Sequence, residues 1–231
     1  MKAINYRKEE YMIAATTTRM QYHVLTTIPL TVVLLLIFLL CGCKPKAPQA
    51  KTVKPAVTLA NLQTAYGKEV AYQKMYVLFA ARAEKDHFKN VANLYRALSR
   101  SKGIHVANHA KLLRNQGIEP AVSPHDSTTV GTTLQTLKMA LSIEEIEYGS
   151  MYPNLARSAD AEQFAEARDQ FKCMQDADAR HGELIREAIG RNGNIPQVLY
   201  LVCPECGYIV TSAQTEECPA CHTKKDKFEK I

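Results

Sequence analysis

FAEARDQFKCMQDADARHGELIREA, residues 164–188, decides how the rest of the chain is read. Taking every third or fourth position gives Phe164, Ala167, Phe171, Met174, Asp178, His181, Ile185 and Ala188, the spacing of one face of an α-helix. Such a face points into a core, yet this one carries a carboxylate and an imidazole one turn apart. An ionised carboxylate is costly to bury alone, so Asp178 and His181 require a counter-charge or a metal ion.

The same pattern occurs 76 residues earlier. Phe88, Val91, Tyr95, Leu98, Lys102, His105, His109 and Leu112 match the eight residues position for position, so the chain contains a repeated helical unit. His105 stands for His181, but Lys102 stands where the later copy has Asp178.

Two more helices complete the set. The first is expected from Thr58, as N-cap ahead of Leu59, with Leu62, Tyr66, Glu69, Gln73, Tyr76 and Ala80 on one face. The second carries the earlier copy from about Asp86 to Asn115 and stops at Gly117. Pro120 to Ser127 is long enough for a crossover connection. The third starts near Thr129 and presents Val130, Leu134, Leu137, Leu141, Glu144, Tyr148 and Met151, with Glu147 one turn on from Glu144. Met151-Tyr152-Pro153 marks a kink or break before the fourth, which ends near Gly190. Inward carboxylates and histidines on four long helices describe an all-α antiparallel four-helix bundle over residues 58–192, with a metal site in its core. His109, one turn after His105 on the same stripe, reads as a satisfied core histidine, with an alternative metal ligand as its other reading, and Cys173 reads as a small core residue.

A small second module follows over 198–231. Cys203-Pro204-Glu205-Cys206-Gly207 and Cys218-Pro219-Ala220-Cys221 supply four thiolates in two tight knuckles, which suits tetrahedral iron or zinc. Glycine after the second cysteine permits the turn of the knuckle. Two disulfides are the other use of four such cysteines, but sequential knuckles are poorly arranged for them.

Composition adds bounds. The chain has 231 residues, 46% hydrophobic and 23% charged, ordinary for a globular protein with a real core. The net charge of +6 comes partly from Lys44, Lys46, Lys51 and Lys54 in a short linker and Lys224, Lys225, Lys227 and Lys230 near the C-terminus, which marks no nucleic-acid surface. Residues 28–40 form an apolar run with the length of a signal-peptide hydrophobic region, closed by Leu40-Cys41-Gly42-Cys43. That ending looks like a bacterial lipobox. It implies a signal segment over 1–43, lipidation of Cys43 and an extracytoplasmic, membrane-anchored protein. The leader is long, and initiation at Met20 instead of Met1 would give a more typical one. Residues 44–57, rich in lysine and proline, read as an extended tether.

From Leu59 to Ile231 the chain resembles rubrerythrins. The resemblance is carried by Asn61-Leu62-Gln63-Thr64-Ala65-Tyr66-Gly67-Lys68-Glu69, by Glu144 to Pro153, by Asp178-Ala179-Arg180-His181 and by the cysteine knuckles. It implies a ferritin-like bundle with a carboxylate-bridged di-iron site and a C-terminal rubredoxin-like iron centre. It also implies reduction of hydrogen peroxide, with electrons returning from an unidentified donor through the four-cysteine site. By position, Glu69, Glu144, Glu147 and His181 match family metal ligands, Asp178 replaces a glutamate and His105 takes the place of the first-half histidine. Glu69 and Glu147 are the catalytic candidates. The family's cysteine centre lies some way from the bundle within one chain, which implies a homodimer. The departure is Lys102-Gly103-Ile104-His105 where the family has Glu-x-x-His. A protonated lysine there repels metal ions and could pair with Glu69 or Glu144. A second reading is therefore an electron-transfer or metal-binding lipoprotein with a one-metal or empty bundle.

Overall fold

The computed structural model describes residues 54–122, 129–211 and 216–231. The apolar run, the Cys43 lipobox and most of the tether lie outside the described residues. The helical periodicity yields α1 (Ala56–Lys85), α2 (Lys89–Asn115), α3 (Thr133–Ile146), α4 (Tyr152–Ala161) and α5 (Ala165–Gly190), with a π-helical turn, Glu147–Met151, joining α3 to α4. In both repeated stripes every position is buried except the leading Phe88 and Phe164, which are partly buried.

The repeat extends to the turns. Asp86-His87-Phe88 and Glu162-Gln163-Phe164 are 76 residues apart, and His87 and Gln163 adopt φ of 67° and 58°. In each turn the acidic residue caps another helix. The Asp86 carboxylate accepts from the Thr133 backbone N–H and hydroxyl at 2.9 and 2.8 Å, at the start of α3. Glu162 accepts from the Val57 and Thr58 amides at 3.0 and 2.7 Å, at the start of α1. Thr58 is therefore inside α1 and is not its cap; a carboxylate brought from 104 residues away satisfies the free N–H groups and suits the positive end of the helix dipole. Similarly α3 begins at Thr133 and not near Thr129, because Thr132 and Gln135 form a capping box. Gly117 and Gly193, again 76 apart, have φ of 75° and 81° after α2 and α5, a left-handed conformation that glycine adopts without a Cβ penalty.

Pro153 does not break the chain. It falls in the first turn of α4, where its missing N–H costs nothing, and the break comes ten residues later at Glu162–Phe164. Leu134, expected inside, lies near the surface.

Asp86 gives a measurable consequence. Hydrogen bonds from Arg82 and Thr133 hold its carboxyl at about 2, below its ordinary 3.8. A lowered folded-state value means the stabilisation is fully present above pH 3.8 and lost as pH falls toward 2. Asp86→Ala should lower unfolding stability by about 1–2 kcal/mol at neutral pH, by loss of the cap. Urea titrations of both proteins should converge at the acid end of that window.

Two apolar clusters set the direction of each helix. One contains Tyr76, Phe79, Tyr95, Leu98, Leu137 and Ile185; the other contains Leu62, Leu112, Tyr152, Phe171 and Met174. Residue order shows that α1 and α5 run from the second cluster to the first, and α2 and α3 run the opposite way. α1 and α2 therefore form an antiparallel hairpin, and a crossover must carry the chain back before α3, the arrangement of a ferritin-like bundle. The segment 123–128 of that connection lies outside the described residues. Polar residues occupy the layer between the two clusters.

The C-terminal module is a three-stranded sheet, β1 (Leu201–Val202), β2 (Ile209–Val210) and β3 (Glu229–Lys230), in the order β2-β1-β3 with antiparallel neighbours. Tyr200, Val202 and Ile209 join the first bundle cluster, so the module shares the core of the bundle. The wide separation expected within one chain is absent.

Candidate metal centres

Four segments bring seven fully or almost fully buried polar side chains into the middle layer. They are Glu69 from α1, Lys102 and His105 from α2, Glu144 and Glu147 from the end of α3 and the π turn, and Asp178 and His181 from α5. Glu69, His105 and Asp178 offer ligand atoms within 4.8 Å of one another, and so do Glu144, Asp178 and His181. Asp178 belongs to both groups, which is the place of a bridging carboxylate. Glu147 belongs to neither; its Oε2 accepts from Lys102 Nζ at 2.6 Å.

Lys102 sits among the carboxylates. Its ammonium also donates to Asp178 Oδ1 at 2.8 Å and Glu144 Oε2 at 3.2 Å, and lies 3.8 Å from Glu69 Oε2. The pairing expected with Glu69 or Glu144 therefore extends to two nearer partners.

The histidines are oriented by the cysteine module. His105 Nε2 lies 3.0 Å from the Cys206 carbonyl and His181 Nε2 lies 3.2 Å from the Gly207 carbonyl. A carbonyl only accepts, so each Nε2 carries the proton and each Nδ1 faces the carboxylates. His105 Nδ1 is 3.2 Å from Glu69 Oε1, and His181 Nδ1 is 3.1 and 3.2 Å from Asp178 Oδ1 and Glu144 Oε2. Backbone acceptors behind an imidazole fix its tautomer and aim, as in metal sites generally.

Two tyrosines complete the layer. Tyr76 donates to Glu144 Oε1 and Tyr152 to Glu69 Oε1, both at 2.5 Å. Sequence reasoning placed Tyr76 on an inward stripe and Tyr152 at a kink without assigning either this contact. Their 76-residue separation was the available signal. Their acceptors are 75 residues apart, so one residue is added between Glu144 and Tyr152, where the π turn lies. His109 is buried with Nε2 3.3 Å from the Tyr152 hydroxyl, outside both ligand groups.

The ionisation of the layer follows from burial set against neighbouring charge. Burial alone would favour neutral Lys102, but Asp178, Glu144, Glu147 and Glu69 outweigh it and hold the ammonium well above the lysine range. Burial likewise disfavours ionised Glu69, yet Lys102 and His105 lower it to about 2. Glu144 is lowered by Lys102 and His181 against the same burial. Burial works against charge on His181 too, but Glu144 and Asp178 raise it to about 9. Burial, helped by the neighbouring carboxylates, pushes Glu147 well above the usual carboxylate range, so the crowded cluster sheds charge there. Three buried carboxylate oxygens, Glu69 Oε2, Glu147 Oε1 and Asp178 Oδ2, have no hydrogen-bond partner. Unpaired oxygens at such depth are costly, and a bound cation supplies the missing partner. Oxygen and imidazole donors in this ratio fit iron.

The four cysteines form the second centre. Cys203 and Cys221 sulfurs are 3.5 Å apart and Cys206 and Cys218 sulfurs 3.4 Å apart. A disulfide needs about 2.05 Å, whereas a tetrahedron with bonds of about 2.3 Å has edges near 3.8 Å. All four thiols are free, and the arrangement fits one tetrahedral ion. Cys173 packs beside this module, its thiol 3.5 Å from the Ala220 carbonyl.

A ferritin-like bundle with two carboxylate–imidazole groups sharing one aspartate, joined to a four-cysteine module, defines a non-haem di-iron oxidoreductase with an electron-transfer centre. The rubrerythrin family model matches residues 60–189. Rubrerythrin-2 of Clostridium acetobutylicum is 30% identical over 183 residues, covering 77% of this chain and 98% of its own. Nigerythrin of Nitratidesulfovibrio vulgaris is 28% identical over 174 residues, covering 74% and 85%. The fully reduced structure of nigerythrin superimposes with a TM-score of 0.69 at 27% identity, over 75% of this chain and 86% of that one. The chain belongs to the rubrerythrin family. It is an oxidoreductase of the di-iron, peroxide-reducing kind with a C-terminal four-cysteine iron site. A degenerate bundle serving electron transfer alone is not favoured, since both ligand groups are present.

Proposed function

We propose that this chain is a lipid-anchored, extracytoplasmic peroxide reductase whose two metal centres are coupled within a single chain. The observation that carries the coupling is the pair of contacts from His105 and His181 to the Cys206 and Gly207 carbonyls. Reduction of hydrogen peroxide breaks one O–O bond and consumes two electrons and two protons, giving two waters. When bound, iron in the bundle would supply those two electrons. Glu69, His105, Glu144, Asp178 and His181 would hold it, with Asp178 between the two positions. Tyr76 and Tyr152 each occupy one oxygen of Glu144 and Glu69, and so fix the direction of those carboxylates. Burial keeps both phenols protonated, well above the usual tyrosine range. The surrounding apolar clusters exclude water and confine the reactive oxygen species. Glu147 stays paired with Lys102 beside the two groups.

An external donor has a place to approach. A cleft of about 250 Å³ is lined by Asn108, Lys111, Gln170, Cys173, Cys206 and Cys221 among others, so it opens beside two cysteine ligands. Exposed Val77, Leu78, Met139 and Ile146 supply apolar surface for a homodimer, which sedimentation would count.

The test is a single turnover. Anaerobically reduced, iron-loaded protein should regain the absorption of its ferric four-cysteine centre on mixing with hydrogen peroxide, with one peroxide consumed per two electrons. Reoxidation only by air would sink the reading. For the anchor, incorporation of labelled palmitate should occur in the parent and vanish in Cys43→Ala.

A further inference from the structure

We infer that the two cation positions of the bundle fill in a fixed order, because Lys102 already occupies one of them. The inference rests on the bundle being a two-metal site. Its basis is the division of lone pairs between the halves. Lys102 Nζ bonds Asp178 Oδ1 and Glu144 Oε2, the same two oxygens that face His181 Nδ1. A cation entering the Glu144–Asp178–His181 half must displace an ammonium from both. In the other half, Lys102 is 3.8 Å from Glu69 Oε2, beyond hydrogen-bonding distance. Glu69 Oε2 has no hydrogen-bond partner, and His105 Nδ1 lies 3.2 Å from Glu69 Oε1 and 3.9 Å from Asp178 Oδ1. An ion entering this half therefore meets Lys102 at one ligand oxygen, Asp178 Oδ1, and not at two; Asp178 Oδ2 has no hydrogen-bond partner.

The first divalent ion therefore goes to Glu69, His105 and Asp178. The second goes to Glu144, Asp178 and His181 once Lys102 withdraws onto Glu147, its nearest partner at 2.6 Å. The ammonium sits on a flexible four-carbon stem, so the exchange needs no movement of the helices. Desolvated charges released from their partners are strongly disfavoured, so the second step should be weaker than the first by at least about tenfold. Repulsion between two bound ions also weakens a second step, so the identity of each half and the effect of Lys102 must be read separately.

Manganese(II) serves as a redox-inert probe of oxygen and imidazole ligands. The full chain, with zinc at the four cysteines, is titrated while free manganese is followed by its paramagnetic resonance signal. Two steps are expected. His105→Asn should abolish the tight step, and His181→Asn should leave it and remove the weak one. Lys102→Met should narrow the gap between the steps. The ordering is overturned if His181→Asn removes the tight step, or if the two steps of the parent are equal. It is also overturned if folded Lys102→Met keeps the gap unchanged. If that variant does not fold, the histidine pair alone decides. Absence of any manganese at the bundle would overturn the two-metal reading itself, a result distinct from wrong order.

Discussion

Gly207→Ala should slow peroxide-driven reoxidation of the four-cysteine centre several-fold, because the knuckle that meets both bundle histidines must move away from them. Gly207 adopts φ of 78°, so any Cβ is strained there. The added carbon would also lie 2.9 Å from His105 Nε2 and would collide with the Ser101 hydroxyl. Ser101 can rotate, but His105 cannot yield freely, because its ring is held by the Cys206 carbonyl on one side and Glu69 on the other. The knuckle must therefore withdraw from α2. Its four sulfurs are held by their own turns, including Gly207 N–H to the Cys203 carbonyl at 2.9 Å and Cys218 N–H to the Thr223 carbonyl at 2.8 Å. Iron at the four-cysteine centre should stay near the parent's, and because the bundle histidines lose their carbonyl acceptors, the slower transfer is read with the bundle loaded from excess ferrous iron. Stopped-flow absorbance with parallel metal analysis reads both. An unchanged rate would show that the centres are not coupled through this contact.

The contact also marks where sequence reading stops. Hydrophobic periodicity and the 76-residue repeat place Glu69, Lys102, His105, Glu144, Glu147, Asp178 and His181 inward, because burial of a helical face is a local property of spacing. The caps are different. Asp86 and Glu162 act on Thr133 and on Val57 with Thr58, and nothing local pairs residues so distant, so Thr58 and Thr129 took the credit for helix starts that belong to other residues. The π turn was equally hidden, because Pro153 resembles a break and a one-residue insertion leaves no compositional mark. Only the change from 75 to 76 in the spacing of Glu69–Glu144 and Tyr76–Tyr152 records it. The docking of the cysteine module on both histidines is tertiary in origin. A glycine after Cys206 explains the knuckle, but not that the space beyond its missing side chain is filled by α2.

Lys102→Glu should convert a bundle that is stable without metal into one that depends on it. In the parent, one ammonium lies within 3.8 Å of four carboxylates and holds negative charge in a dry layer. Removing the cation from a buried ion cluster costs about 3–5 kcal/mol, and the new glutamate adds a fifth carboxylate to the same space. Some of that cost is relieved by protonation, as already occurs at Glu147, where burial and neighbouring carboxylates favour the neutral acid. The metal-free variant should therefore melt well below the metal-free parent, with its deficit smaller at acid pH, where the carboxylates protonate. Iron reverses the comparison. A fifth carboxylate strengthens both positions, and no ammonium has to leave before the second fills, so the variant should bind more iron. Ligand binding to the native state alone adds about 4 kcal/mol when free ion exceeds its dissociation constant a thousandfold, enough to recover the loss. Calorimetry with and without ferrous iron, under anaerobic conditions, reads both halves of the expectation. A metal-free variant as stable as the parent would mean that Lys102 does not neutralise the layer. Unchanged iron content would mean that its ammonium does not compete with the metal.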